Sequence, residues 1–154
     1  FYTGYMINQM QPGEFVQALQ VPLPASTGAH QLRAYKLSKR FDCDISGLTA
    51  ALWLQLDGDV VKDLRLAFGG MAATVRRASK AEGKLRGQRF TEDAVRAAMA
   101  ALSQDFQPLT DLRASASYRQ RSAANLLYRF WLETRPEAPL SAQQVSVWAQ
   151  GAAA

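Results

Sequence analysis

Cysteine and histidine are almost absent. Cys43 is the one cysteine and His30 the one histidine in 154 residues. A single cysteine excludes an internal disulfide and any zinc site built on several thiolates. With no matching carboxylate pattern around them, these two residues make no Cys–His nucleophile pair, and His30 reads as an ordinary surface residue. No apolar run approaches the length a membrane-spanning helix needs. The chain also lacks a phosphate-binding P-loop and a G-x-G-x-x-G turn opening a helix. Self-contained metal, thiol or triphosphate chemistry has no foothold here.

What remains is one ordinary domain's worth of residues, 48% hydrophobic and 20% charged, with a formal net charge of +5. The excess of cations raises the question of nucleic acid. One run is dense in them: Arg76, Arg77, Lys80, Lys84, Arg86 and Arg89. No aromatic residue interleaves it before Phe90, so a solvated helix face, or a face that meets a partner domain, is the simpler reading. The alternative is a non-enzymatic interaction module that uses 76–89 to bind protein or nucleic acid. The chain opens at Phe1 within patterned sequence, which suggests a piece of a longer polypeptide.

Residues 35–72 organise the rest. Leu48, Ala50, Leu52, Leu54 and Leu56 share one face of a period-2 pattern, and Thr49, Ala51, Trp53 and Gln55 share the other. Asp57-Gly58 then interrupts the run, a hairpin signal that suits two positive-φ turn residues. Val60 to Phe68 supply the returning strand, with Val61, Leu64 and Leu66 as core candidates, and Gly69-Gly70-Met71 ends it. Two polar loops, 39–46 and 69–72, therefore lie at one end of the hairpin. Binding residues concentrate on such loops.

Upstream, Pro12-Gly13 marks a turn, and the alternation of Phe15, Gln17, Leu19 and Val21 predicts a strand ending before Pro22 and Pro24. Residues 30–39 predict another. Downstream the period becomes helical. Residues 73–87 read as a helix with Val75, Ala78, Ala81 and Leu85 inward and Gly87 as its stop. Thr91 is the N-cap candidate of the next, with Ala94, Val95, Ala98, Ala101 and Leu102 inward. Ser115 or Ser117 caps a last long helix carrying Leu126, Leu127, Phe130 and Trp131, an aromatic stripe that reads as core. The tail 137–154 carries little signal beyond Trp148, which could dock it. The fold class predicted is α+β: a three-stranded antiparallel sheet followed by three helices packed on one face.

Several motifs carry a resemblance in their order and spacing: Lys36 with Ser38-Lys39-Arg40, Asp42-Cys43-Asp44-Ile45, Phe68-Gly69-Gly70-Met71-Ala72, and Asp111-Leu112-Arg113-Ala114-Ser115 with Tyr118-Arg119. Together they resemble the C-terminal part of the FAD-binding module of xanthine dehydrogenases and their molybdenum hydroxylase relatives, including the carbon monoxide dehydrogenase flavoprotein. The likeness runs from about residue 1 to 135. It implies that 1–24 ends the FAD-binding subdomain as a linker strand, that 29–136 is the C-terminal-type domain, and that 137–154 is a tail.

The resemblance also implies a function. The chain would form one wall of an FAD site in a cytoplasmic xanthine dehydrogenase-type oxidoreductase, and would be inactive as an isolated piece. In that family the flavin takes electrons from iron–sulfur (2Fe–2S) clusters, fed by a molybdenum cofactor elsewhere in the complex, and passes them to NAD. The implied partners are the upstream FAD and iron–sulfur domains and a molybdenum-binding subunit, with no nucleic acid and no membrane. Lys36 matches a lysine that contacts FAD, and Val16 matches an apolar position packed on it. The segment holding Asp42, Cys43, Asp44 and Ile45 matches the loop beside the isoalloxazine ring. Relatives often carry an acid where this chain has Cys43. Tyr5 and Gly70 match positions near the dinucleotide site. Arg113, Tyr118 and Arg119 match a family motif but are assigned no chemistry, since they could simply pin a helix to the sheet.

Overall fold

Leucine spacing explains the sheet. In the computed structural model, which describes residues 1–21, 30–40 and 42–146, strands β3 (His30–Leu37), β4 (Leu48–Asp57) and β5 (Val60–Gly69) form an antiparallel meander. Leu48, Ala50, Leu52 and Leu54 of β4 lie against Leu64, Leu66 and Phe68 of β5, and all are buried. Each large apolar side chain so buried contributes roughly 2 kcal/mol. A register slip of one residue would expose the whole set, so the pairing is strongly specified. Where Leu56 pairs with Val61, the register shifts by one residue. That bulge turns Val61 inward although it is out of phase with Leu64.

The hairpin turn differs in detail from the one predicted. Asp57 still pairs with Val60, so the two loop residues are Gly58 and Asp59. Gly58 has φ +60° and Asp59 is not in the left-handed region. A glycine-first loop belongs to the II′ class, the other hairpin turn that matches strand twist.

The helices cover one sheet face. They are α1 (Ser79–Leu85), α2 (Glu92–Asp105) and α3 (Ala116–Thr134). Their inward residues Ala81, Leu85, Val95, Ala98, Leu102, Leu127 and Phe130 join the sheet leucines in one core. Thr91 caps α2 by accepting from Ala94 N, and Ser115, rather than Ser117, caps α3 by accepting from Tyr118 N. The α+β layering holds, but the sheet has four strands, not three: β6 (Arg76–Arg77) pairs with Phe68 and Ala67. A separate two-stranded hairpin, β1 (Tyr2–Gly4) with β2 (Ile7–Asn8), precedes it.

Three further expectations change. The helix predicted over 73–87 begins at Ser79, because the backbones of Arg76 and Arg77 pair with β5 and Ala78 N donates to Leu66 O. Val75 is consequently 71% exposed. The strand predicted at 15–21 does not form: Phe15, Val16, Leu19 and Val21 are exposed, and among the described residues no strand lies beside them. Alternation supplies a face, but a strand also requires a partner. Last, the tail contains a short helix, α4 (Ala142–Val145), closed by a Ser141–Gln144 capping box. Trp148 lies outside the described residues. No described helix is long and apolar enough to cross a membrane.

Glu82 shows how the sheet edge is finished. This residue is 3% exposed, and its carboxylate accepts from Leu66 N at 2.8 Å, Arg77 Nε at 2.8 Å and Arg77 Nη2 at 2.6 Å. It takes the β5 amide that β6 is too short to reach. Glu82→Ala should therefore destabilise the domain by about 3 kcal/mol, measured by urea denaturation, because it orphans a buried N–H and half of an ion pair.

Candidate functional site

The sheet's second face is nearly bare toward the loops, where its register arranges three rows beyond the one that joins His30, Gln55 and Asp63. Leu32, Trp53 and Arg65 form one row, Ala34, Ala51 and Ala67 the next, and Lys36, Thr49 and Gly69 the last. Arg65 lies over the Trp53 ring at 5.1 Å. The middle row carries only methyl groups. With Gly69, Val75 and Lys36 at its border, it forms the floor of an open depression of about 350 Å³. A Cβ on Gly69 would overlap Thr49 Oγ1. Lys36 projects from this floor, exposed, with no ion pair or hydrogen bond to another described residue.

The last row lies at the end of the sheet that carries both polar loops. Loop 38–47 leaves β3 and is closed by Gly47 N donating to Leu37 O at 2.8 Å. Within it, Asp44 Oδ2 accepts from Arg40 N at 2.9 Å and Asp44 Oδ1 from Ile45 N at 3.0 Å. The Arg40 amide leads in holding the Asp44 carboxyl below its ordinary value, and partial desolvation opposes it. Asp42 Oδ1 accepts from Cys43 N, and Cys43 has φ +48°. Both aspartates therefore shape the loop as turn formers. Phe41 lies outside the described residues.

A third loop, 109–115, packs beside the first, a contact that sequence spacing did not reveal. Lys39 Nζ donates to Leu112 O at 2.7 Å. Between the two loops is a cavity of about 750 Å³ lined by Lys39, Arg40, Cys43, Asp44, Ile45 and Arg113, among others. A second cavity, of about 610 Å³, lies on the other side of loop 109–115. It brings together Tyr5, Gly70, Arg76, Arg113 and Arg119.

The structure thus distributes the residues singled out by sequence over three places. Lys36 is on the bare sheet face. Cys43, Asp44 and Ile45 share the first cavity, with Asp42 beside them in the loop but outside its lining. Tyr5 and Gly70 share the second, although 65 positions separate them. Val16 is 52% exposed in the N-terminal segment and lines none of the three. The basic run does not form one helix face. Arg76 and Arg77 are in β6, Arg77 pairs with Glu82, Arg86 with Asp63, and Arg89 with Asp59.

Sequence reasoning assigned no role to Arg119, yet it sits at the junction of these loops. It is 4% exposed. Its Nη1 donates to Gly70 O, and its Nη2 donates to Asp111 Oδ1 at 2.7 Å. The same Asp111 oxygen accepts from Arg113 N at 2.9 Å and Ala114 N at 3.1 Å. Those two amides, followed by Arg119, lower the Asp111 carboxyl from 3.8 to about 2. The order D-L-R-A-S-A-S-Y-R contained both partners eight positions apart, but not the fact that they meet across a turn.

Because its folded pKa is depressed, Asp111 contributes stability that is present above its ordinary value of 3.8 and lost as pH falls toward about 2. Thermal melts of Asp111→Asn should therefore fall less steeply between those pH values than melts of the parent. Gly70 has φ +79°, and a Cβ there would stand 2.7 Å from Gly47 O and 2.9 Å from Arg119 Nη1. Gly70→Ala should lower the melting temperature by several degrees, corresponding to about 1–3 kcal/mol of backbone strain.

Comparison with known proteins agrees with this architecture. Residues 33–134 match the model of the CO dehydrogenase flavoprotein C-terminal domain. The chain is 37% identical over 134 residues to a xanthine dehydrogenase of Emericella nidulans, covering 85% of this chain and 10% of that protein. It is 29% identical over 130 residues to the carbon monoxide dehydrogenase medium chain of Hydrogenophaga pseudoflava, covering 84% and 44%. The solved structure of reconstituted CO dehydrogenase from Oligotropha carboxidovorans superposes with a TM-score of 0.73 at 26% identity, over 84% of this chain and 44% of that one. The chain therefore spans less than half the length of these relatives, and it belongs to the CO dehydrogenase flavoprotein C-terminal domain family.

Proposed function

We propose that this chain is part of the FAD domain of a xanthine dehydrogenase-type molybdenum hydroxylase and forms one wall of its flavin site. The observation that carries the reading is the bare face of the sheet. In a chain of this family, three strands place Ala34, Ala51 and Ala67 side by side, with Gly69 in the next row, and leave an exposed lysine at their border. A planar aromatic ring requires a flat floor without projecting side chains, and that row provides one. Lys36 provides a mobile cation at its edge, suited to an electron-rich carbonyl or a diphosphate. These residues therefore fit a flavin dinucleotide.

The roles of the individual residues follow. Lys36 binds and balances negative charge. Asp42, Cys43, Asp44 and Ile45 border the ring, where the fixed Asp44 carboxylate tunes the local potential. Val16 packs on the cofactor once the exposed segment around it is covered by the preceding domain. Tyr5 and Gly70 face the pyridine nucleotide. When bound, the flavin carries the redox chemistry, and the protein supplies binding, orientation and electrostatics. Residues 1–24 serve as the link from the upstream FAD subdomain, 29–136 as the wall, and 137–154 as a tail. Neighbouring domains or subunits would hold the 2Fe–2S clusters and molybdenum cofactor that supply the flavin's electrons, with NAD as the acceptor.

The reading is tested on the full-length parent chain. Its visible spectrum should show a flavin band that bleaches on anaerobic addition of NADH. Lys36→Ala should weaken flavin retention by about tenfold, a loss typical of one charge-assisted contact. Charge reversal at Lys80 and Lys84 should leave both properties near the parent values. A folded parent chain that cannot be reconstituted with FAD contradicts the proposal. If reversal at Lys80 and Lys84 instead abolishes a salt-dependent macromolecular interaction, the basic run is the functional surface.

A further inference from the structure

Arg119 is the residue whose placement the proposed function does not use. It projects from the first turn of α3 and is buried, yet it reaches two loops at once. Nη1 holds the Gly70 carbonyl and Nη2 holds Asp111. Its Nε is also buried and has no acceptor among the described residues. A buried guanidinium with an unmet donor is unfavourable. A residue serving only to pack α3 on the sheet would be better replaced by an apolar one.

The two contacts lie on a continuous path. Asp111 accepts the Arg113 and Ala114 amides and so sets the shape of loop 109–115. Leu112 in that loop accepts from Lys39, which anchors loop 38–47. Gly70 in turn is wedged between Gly47 O, at the end of loop 38–47, and Arg119 Nη1. Removing the guanidinium would free Gly70 on one side and Asp111 on the other. Arg113 lines the cavities on both sides of loop 109–115.

We infer that Arg119 is a positioning residue that locks loops 69–72 and 109–115 together and thereby sets the shape of the cavity lined by Tyr5 and Gly70. The inference rests on the reading of that cavity as the pyridine-nucleotide side of the flavin site. It assigns Arg119 no contact with the flavin. Its loss should impair use of the nucleotide while leaving the flavin in place.

The test compares the full-length parent with Arg119→Met and Arg119→Lys, each loaded with FAD. Arg119→Met should keep its flavin absorbance and raise the NADH concentration for half-maximal anaerobic flavin reduction about tenfold, with the limiting rate changed less than about threefold. Arg119→Lys keeps the charge but cannot fork to both partners, so it should fall between the two. Hydrogen exchange, read by mass spectrometry without NADH, should quicken about tenfold in peptides covering 66–74 and 109–117 and stay unchanged in α2. If Arg119→Met does not fold, Arg119→Lys carries the same comparisons. Exchange unchanged in both loops overturns the inference, as does exchange raised throughout the domain, which marks Arg119 as general support. Loops that loosen while half-saturation by NADH stays constant overturn its link to the nucleotide. A parent whose flavin is absent or untouched by NADH would instead refute the proposed function, and the exchange comparison would still decide whether Arg119 locks the loops.

Discussion

The sheet buries one face, and the remaining features depend on that choice. Leucine and phenylalanine crowd the helix side of β4 and β5, while alanine, threonine and glycine occupy the loop end of the other. The hydrophobic effect fixes which face goes inward, and period-2 geometry then places Ala34, Ala51 and Ala67 outward in one row whether or not they serve a purpose. Bulk is absent where a flat ligand would lie. Trp53 stands one row away, held by Arg65 and stacked beside His30.

Charge is buried at a few points where secondary structure ends. Glu82 completes the edge of β5 beyond the two residues of β6. Glu133 accepts from the Tyr35 hydroxyl at 2.9 Å and from Arg129 Nε at 2.6 Å, and pairs with Arg33 at 3.3 Å, tying β3 to α3. Burial, then Glu133, pushes the Tyr35 hydroxyl well above its usual value, so Tyr35 remains a neutral donor there. Arg119 does the same kind of work between loops. In each case an ionic side chain from a helix satisfies backbone or side-chain groups that the sheet cannot, and the loops at the open end inherit a defined shape.

The sheet was legible because strict alternation in 48–56 admits one inward face. The caps at Thr91 and Ser115 were legible because hydroxyl residues stood before apolar runs. Residues 73–78 were misread because helix-forming alanines and arginines outweighed a signal that sequence does not show, the unpaired edge of β5 waiting for Arg76 and Arg77. Residues 15–21 have the alternation of a strand but no neighbour among the described residues. The Ser141–Gln144 capping box was legible in S-A-Q-Q and passed over in a stretch read as tail. At the site, the two loops at one end followed directly from hairpin topology. Loop 109–115 did not, since its approach to Lys39 and Gly70 depends on how α3 packs. Arg119 matched a motif, but its function as a clamp depends on contacts across 49 positions.

If the bare face of β3–β5 lies against the flavin, as proposed, Lys36 reports on it. The direct measurement is the rate at which an amine-reactive acylating reagent modifies Lys36 in the full-length parent with FAD bound and after the flavin is removed, read by mass spectrometry. Lys62, Lys80 and Lys84, all exposed and none of them lining the depression beside Lys36, serve as internal references. FAD should slow modification of Lys36 markedly and leave the three references unchanged, as a flavin lying on that face requires. Equal modification of Lys36 in the two states would contradict it.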